Sequence, residues 1–424
     1  MSNSQNAVVK KLSISGFGEK ESMAELGGNI TTVLSIDFYE NIFEPVTELV
    51  CIFTSSASAL SDIQIRGTEN VSLKVEHPTG TLEVDNWRLI SFNQMESEST
   101  VNTFMIKCNH KDVIANERKR VTKRYEPKTK ASSHVEEILK THMNTELEVD
   151  VEPTANADGF LGNYWRPYRA IYWLARRALS GASPGDGGGT DMAGFLFWMT
   201  RSGYKFKSID TIISEAINDK DSILVFTQNE VVDSDSIDEN FNMYNVKSES
   251  DQNVVGKMQN SFYGETRKTV NLFSLYPDTD HVDKSKAELN QTTAGDSDAK
   301  ELENNDELNT RPTVHTTFVY APGTLEMDGK IEMDDYNPTK VLSQSKMRYE
   351  SLLSQSLRAT VPYNLKLEAG DVIEANLIQS GKGTDQWNSG YYLIKDLRHS
   401  FFFNDSGVQC YTYLRLVRDS PGKR

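Results

Sequence analysis

Cysteine is scarce in this sequence, which holds three such residues, Cys51, Cys108 and Cys410, in 424. They are too few and too far apart for a disulfide framework, and no two have the close spacing of a metal-binding knuckle. Cys51 and Cys410 lie within strand-like apolar runs, where a thiol packs as a small hydrophobic group. The sequence therefore predicts buried thiols with no redox role.

Long apolar runs are also missing, since no stretch approaches the roughly 20 residues that cross a bilayer as a helix. The first eleven residues are polar. They show no apolar stretch followed by a small-residue cleavage site, which is the pattern of a signal peptide. We therefore expect a protein that folds in a cytoplasm and does not insert into a membrane.

Basic residues are outnumbered, because the chain has 45 Lys and Arg against 61 Asp and Glu, a formal net charge of -16. A field of this sign repels a polyanion, so a dedicated DNA-binding protein is disfavoured. The same charge would suit a surface past which DNA slides without sticking. Solubility alone, however, also explains an acidic composition.

Signatures of catalysis and of cofactor binding are missing as well. The glycine cluster at residues 185–189 lacks the following Lys and Ser or Thr of a phosphate-binding loop. The seven histidines show no HExxH spacing, and Asp278, Asp280 and Asp283 begin a calcium loop without its central Gly and distal Glu. No GxSxG elbow or cysteine nucleophile signature occurs. The sequence predicts no catalytic residue, cofactor or metal site, and weak ion binding by acidic loops stays open.

The first hundred residues mostly predict short β-strands. β-Branched and aromatic residues alternate with polar ones in five segments, residues 31–38, 48–54, 71–77, 81–92 and 100–109. This pattern is typical of an antiparallel barrel or sandwich, and we assign it to residues 1–125. The domain ends in a basic stretch, because residues 111–130 hold eight Lys or Arg and three Asp or Glu.

Helical spacing appears next, and it predicts a small α/β domain over residues 126–194. Ser132 and Ser133 can cap a helix that runs to Met143. Pro167 opens a second helix, because proline is tolerated in a first turn. One face of that helix is apolar and consists of Ala170, Ile171, Leu174 and Ala178.

The remaining chain returns to β structure with a long interruption. We assign residues 195–232 and 355–424 to a second, split barrel, on the pattern of their strand-like runs. Between them, residues 233–354 form an acidic, partly flexible insertion that includes a helix. Within it, residues 277–311 carry ten Asp or Glu against four Lys or Arg and few apolar residues, so a packed core is not expected there.

Aromatic and arginine residues concentrate in one short segment. The aromatic members are Tyr164, Trp165, Tyr168, Tyr172 and Trp173, and the arginines are Arg166, Arg169, Arg176 and Arg177. Such a mixture can stack on nucleic-acid bases or on sugars. It can equally fill a domain core and contact a partner subunit, because Tyr, Trp and Arg are enriched at protein interfaces. We favour the second interpretation and predict Arg166, Tyr168 and Trp173 as interface residues.

Three segments of the chain carry a resemblance to a known family. The first is IDFYENIFEPVTELVCIF with SDIQIRGTENVSLKV, which contains a turn at Gly67 and Glu69; the second is GFLFWMTRSGYKFKSIDTI. The third combines LRATVPYNLKLEAGDVIEANL, YYLIKDLRHSFFFND and YTYLRLVRDS. In this order they resemble the baseplate hub proteins of contractile-tailed phages and the hub half of VgrG-like secretion spikes. The resemblance covers roughly half the chain and leaves the acidic insertion unmatched.

The resemblance implies a fold class and a role. The fold would be α+β but mostly β, with two tube-protein-like antiparallel β-barrels, an inserted small α/β domain and a loop-rich insertion. Three subunits would form a ring of six similar barrels that joins a threefold central spike to a sixfold tail tube and leaves a channel for DNA. The implied partners are two further copies, the spike, tube proteins and baseplate wedge proteins. The implied location is the virion tail, assembled in the host cytoplasm.

Two other functions stay open at the level of the sequence. A virion-associated cell-wall or polysaccharide hydrolase would need two carboxylates that converge in a cleft, and an acidic chain offers many pairs. A nucleic-acid-binding module would have to use residues 118–124 with the aromatic segment, and its affinity would fall steeply with salt. The resemblance favours a hub protein that is not an enzyme.

Overall fold

The computed structural model describes residues 7–15, 23–25, 31–55, 67, 69–97, 101–181, 192–228, 239–248, 253–270, 277–283, 292–294, 314–319, 325–327, 330–332, 338–379, 383–404 and 407–422. Strands dominate these residues, which form one 13-stranded sheet and five smaller sheets. The expected mostly β fold is confirmed. The glycine cluster at 185–189 and most of the acidic stretch 284–311 lie outside the described residues.

Seven antiparallel strands form an N-terminal β unit. They are β1 (Val8–Ser15), β2 (Met23–Glu25), β3 (Thr31–Asn41), β4 (Glu48–Ser55), β5 (Asn70–His77), β6 (Gly80–Ser97) and β7 (Asn102–Asn109). Their order is β2-β1-β5-β6-β7-β4-β3. Alternate residues such as Val71, Leu73 and Val75 point into one buried cluster, as the period of two requires. The five strands expected between residues 31 and 109 are β3 to β7.

An α/β domain follows directly. Its elements are α1 (Asp112–Arg118), β8 (Arg124–Tyr125), α2 (Ala131–Glu136) continued as a π-helical segment (Glu137–Met143), β9 (Val149–Val151), β10 (Phe160–Leu161), α3 (Pro167–Ala175), β11 (Phe195–Thr200) and β12 (Gly203–Ser208). Both predicted helices are present. The first ends at Asn144, whose positive φ of 56° allows the chain to reverse. The sheet order β11-β12-β9 places this sheet against α2 and α3 in one core.

The hairpin β11–β12 differs from its predicted place. The sequence assigned residues 195–208 to the second barrel, whereas the hairpin pairs with β9 in a separate sheet of the α/β domain. Phe195, Phe197 and Phe206 join the α/β core, while Leu196 and Trp198 on the other face pack towards the second β unit. The strand is buried on both faces, so its apolar pattern could not show which core it enters.

The rest of the chain contains the second β unit and the insertion. Its elements are α4 (Ile209–Asn218), β13 (Val225–Gln228), β14 (Asn242–Ser248), α5 (Val254–Gln259), β15 (Gly264–Val270), β16 (Pro277–Asp283), β17 (His315–Val319), β18 (Leu325–Met327), β19 (Lys330–Glu332), α6 (Pro338–Leu352), β20 (Gln355–Pro362), β21 (Val372–Asn376), β22 (Ile378–Gln379), β23 (Gly383–Thr384), β24 (Gly390–Asn404) and β25 (Gly407–Arg418). Ser208 caps α4, since its hydroxyl accepts a 3.1 Å hydrogen bond from the Thr211 N–H.

Six strands of this part close into a barrel, and this barrel is the second β unit. The ring runs β24-β21-β13-β14-β20-β25 and returns to β24 through the β24–β25 pairing. It is not wholly antiparallel as predicted, because β13 lies parallel to both β14 and β21. Parallel neighbours need crossover connections, and residues 229–241 separate β13 from β14. β14 was expected in the insertion and is a barrel strand instead.

The long hairpin β24–β25 belongs to both β units. Its start pairs with β21, while residues 396–402 of β24 pair with β3. Leu397 and Leu414 are therefore buried in the barrel core, whereas Phe401 and Cys410 are buried in the N-terminal core. The backbone of Ala7, next to β1, hydrogen-bonds to the Cys410 thiol. The outer half of the hairpin thus pairs with β3, contacts Ala7 next to β1 and buries Phe401 and Cys410 in the N-terminal core.

The insertion is fixed to the molecule by a buried ionic cluster. Arg348 of α6 donates hydrogen bonds to Asp210 of α4 at 3.2 Å and to Asp419 near the C-terminus at 2.8 Å. All three side chains are at most 1% exposed. Burial raises the pKa of Asp210, although Arg348 opposes that shift. An ion pair in such an enclosed site joins α6, α4 and the chain end in one arrangement.

Candidate functional site

The aromatic and arginine segment lies on and around α3. Pro167 occupies the first turn, where its missing N–H costs nothing. Ala170, Ile171 and Leu174 are buried in the α/β core. The helix therefore has one face fixed in the core and leaves its arginines towards solvent, as its apolar spacing predicts.

Tyr168 lies inside this core. It is 6% exposed, and its hydroxyl is 2.6 Å from the hydroxyl of Tyr204. Tyr204 in turn donates to Asp112 at 3.1 Å. Burial alone would raise the pKa of Asp112, but the neighbouring His110 and hydrogen bonds from Thr145 and Tyr204 outweigh it and lower the pKa. The chain of hydroxyls ends on a charged acceptor and fixes α3 relative to α1 and β12.

The other two predicted interface residues are more accessible. The Arg166 side chain is 54% exposed and pairs with Glu117 at 2.9 Å. Trp173 is half-buried, and the Arg177 guanidinium lies 3.9 Å from the centre of its ring. Arg166 is thus placed to contact a partner directly, whereas Tyr168 would act by holding the helix. The interface role of the three residues stays a prediction.

A groove of about 990 Å³ runs between α3, residues 42–46 and α6. Its floor is apolar, and the four arginines of the segment line its edge. Tyr172 crosses it and donates a 2.8 Å hydrogen bond to the Phe43 carbonyl. On the far side, the Tyr349 hydroxyl of α6 hydrogen-bonds to the Phe195 carbonyl. The groove therefore lies between the α/β domain and the insertion helix α6.

The most exposed aromatic residue of the segment is one that we did not single out from the sequence. Tyr164 is 74% exposed, and it has a positive φ of 54°. This conformation is strained for a residue with a bulky side chain. Leu161, at 60% exposure, ends the preceding strand β10. The local sequence Gly-Asn-Tyr indicates a turn, but it does not reveal which aromatic side chain faces solvent.

A second cluster lies where the two β units and the α/β domain meet. The carboxylate of Glu40, in β3, accepts hydrogen bonds from the Arg201 N–H at 2.7 Å and the Ala369 N–H at 2.9 Å. Glu368 accepts from Arg201 at 3.0 Å, and Thr200 and Ser202 donate to it as well. Burial and the neighbouring Glu368 raise the pKa of Glu40 to about 8, against the two backbone hydrogen bonds.

Two acids, Glu40 and Glu368, lie close together at this junction. Glu40 is 3% exposed, and both of its oxygens accept backbone hydrogen bonds. Glu368 lines a neighbouring cleft, with its oxygens bound by the β11–β12 turn. The observed contacts of both acids hold the three modules together.

In the described part of the chain, no group of three or more His, Cys, Asp or Glu side chains is arranged to hold a metal ion. Among those same residues, no helix combines the length and apolar character needed to cross a membrane. The three cysteines are free and buried, which confirms their predicted packing role.

The fold of this chain is similar to that of solved proteins. No protein-family model matches the sequence, and no curated protein matches it either. A tail protein from Neisseria meningitidis MC58 aligns over 96% of this chain and 96% of its own, with a TM-score of 0.53 and 11% identity. The 43 kDa tail protein of prophage MuSo2 from Shewanella oneidensis aligns over 97% of this chain and 100% of its own, at 0.51 and 9%. This chain therefore shares the fold of these two tail proteins over nearly its whole length.

Proposed function

We propose that this chain is a structural subunit of the baseplate hub of a contractile phage tail. The observation that carries the proposal is the presence of two β units in one chain, joined by the shared hairpin β24–β25. The fold shared with two tail proteins supports it. Three such chains around an axis would present six β units.

The physical sense of the arrangement is the matching of two symmetries. A threefold spike and a sixfold tube cannot share one set of identical contacts, but a trimer of duplicated units offers three contacts on one side and six on the other. The ring would hold the central spike below, tube proteins above and wedge proteins outside. DNA would pass through its centre, past a chain whose net charge of -16 disfavours binding. Its place would be the virion tail, after assembly in the host cytoplasm.

Mass photometry and electron microscopy of the purified chain test this proposal. We expect particles of three times 47.8 kDa and end-on images with six similar lobes around a channel. The spike protein, added separately, is expected to bind one side of the ring. Monomers alone, both with and without the assembled spike, would count against the hub.

The absence of enzymatic activity is part of the proposal. A hydrolase would gain support if the isolated chain degraded peptidoglycan and if Glu368→Gln abolished that turnover. We expect no turnover from the wild type or from the variant, because the oxygens of Glu40 and Glu368 are occupied by structural hydrogen bonds. Release of labelled muropeptides is the measurement.

A further inference from the structure

The charge of this chain is unevenly distributed. Residues 111–181, which form most of the α/β domain, hold 13 Lys or Arg and 10 Asp or Glu. The rest of the chain holds 32 basic and 51 acidic residues. A slightly basic domain therefore belongs to a strongly acidic molecule. Two copies can attract each other if the basic domain of one meets an acidic surface of the next.

The basic domain has a group of exposed residues that we call the tyrosine knob, defined by Leu161, Tyr164, Arg166 and Arg169. Tyr164 and Leu161 are 74% and 60% exposed, and the Arg166 side chain, which pairs with Glu117 of its own chain, is 54% exposed. Arg169 is also exposed and lies 5.4 Å from the centre of the Trp165 ring. An exposed aromatic side chain flanked by arginines has the composition of an interface centre.

A complementary surface lies elsewhere on the same chain, and we call it the acidic cleft. It has a volume of about 640 Å³ and lies between α4 and the loop before β21. Ile212, Ile223 and Val372 contribute to its apolar lining. Six acidic and three lysine residues line it. Lys205 and Lys207 are paired with Asp150, and Lys207 also with Glu215, while the exposed rim carries Asp219 and Asp221 on either side of Lys220. Six acidic residues against three lysines give the lining a net negative charge.

We infer that the tyrosine knob of one copy inserts into the acidic cleft of the next copy, with Tyr164 against the apolar lining and Arg166 and Arg169 facing Asp219 and Asp221. The inference rests on the proposed trimer and names its contact. Knob and cleft are different surfaces of one chain, so the contact is heterologous, and a heterologous contact that closes after three copies gives a ring. Charge complementarity selects a second copy as the occupant.

Charge reversal tests the contact through the mass of the particle. We expect Arg166→Glu/Arg169→Glu and Asp219→Lys/Asp221→Lys each to turn the trimer into chains of 47.8 kDa. The variant with all four changes should recover the trimer, because its reversed knob again matches its reversed cleft. The matched control Lys10→Glu/Lys74→Glu reverses two exposed charges on β1 and β5 and should stay trimeric. Circular dichroism checks that every variant is folded.

The outcomes separate the inference from the proposed function. A wild type that is monomeric removes the trimer and the contact together. A trimer that survives Arg166→Glu/Arg169→Glu overturns the contact and leaves the hub standing. Dissociation of the Lys10→Glu/Lys74→Glu control would show a general charge effect and would equally overturn the contact.

A cross-link tests proximity without changing charge. All three native cysteines are buried, so any disulfide that forms between chains should come from the introduced cysteines. In Tyr164→Cys/Ser222→Cys, mild oxidation should link chains into covalent dimers and trimers on a denaturing gel. Either single variant should stay monomeric on that gel. Dimers from Tyr164→Cys alone would mean that two knobs meet each other, which contradicts the inferred contact.

Discussion

A single buried carboxyl, that of Glu40, connects its own strand β3 to two other parts of the molecule. It extends from β3 and accepts hydrogen bonds from the β11–β12 turn and from the loop before β21. Its pKa is raised from 4.5 to about 8, with burial as the largest cause. Between these two values the folded state binds one proton that the unfolded state releases, so ionisation opposes folding as the pH rises.

The stability of the protein is therefore expected to fall as the pH rises from 4.5 to about 8, through the Glu40 contribution. The slope is at most about 1.4 kcal/mol for each pH unit. Glu40→Gln should remove this part of the slope, at the cost of one hydrogen bond at every pH. Urea unfolding over that pH range is the measurement. The exposed control Glu83→Gln should keep the wild-type slope, and equal slopes for Glu40→Gln and wild type would refute the assignment.

Arg348 is the second residue on which the arrangement of the chain depends. Arg348→Met leaves Asp210 and Asp419 buried without their cation, and removing one partner of a buried pair costs about 3–5 kcal/mol. We expect a loss of that size in the free energy of urea unfolding. Lys346→Met, an exposed change on the same helix, should cost little. Similar losses in both variants would show that the helix surface, and not the ionic cluster, is responsible.

At the scale of elements, the hairpin β24–β25 links the stability of the two β units. Phe401 is fully buried in the N-terminal core and lies 4.9 Å from the Tyr363 ring, centre to centre, while the same strand forms part of the barrel. Phe401→Ala should cost about 3–5 kcal/mol. Because the hairpin is shared, we expect faster hydrogen exchange in β14 as well as in β5. Phe402→Ala, at a half-buried position of the same strand, should cost less. Acceleration confined to β5 would mean that the units unfold independently.

The elements also show where pattern reading is sufficient and where it is not. The alternation in β5 predicts both the strand and its buried face, because only every second residue is buried. In β11 all six residues are buried, so alternation is absent. The hairpin was consequently assigned to the wrong core, and β14 to the insertion, since the partner of a strand is a long-range property.

At the scale of the whole molecule, the uneven charge predicts how the proposed ring responds to salt. Surface charge pairs are screened over a distance that shrinks from about 10 Å at 0.1 M to about 3 Å at 1 M ionic strength. If arginines of the tyrosine knob face the acidic cleft, the chain concentration needed for half assembly should rise across this range. Sedimentation velocity in increasing NaCl measures it. If the contact were apolar, that concentration would instead stay constant or fall as NaCl is added.

The sequence by itself determined the mostly β fold, the two helices of the α/β domain, the buried cysteines and the concentration of arginine and aromatic side chains around α3. These features follow from local periodicity and from the polarity of each residue. Only the tertiary structure decided that Tyr168 is internal while Tyr164 is exposed, that Glu40 and Arg348 are buried at junctions, and that one hairpin serves two β units. Each of these depends on which distant segment covers a residue, and a linear pattern does not contain that information.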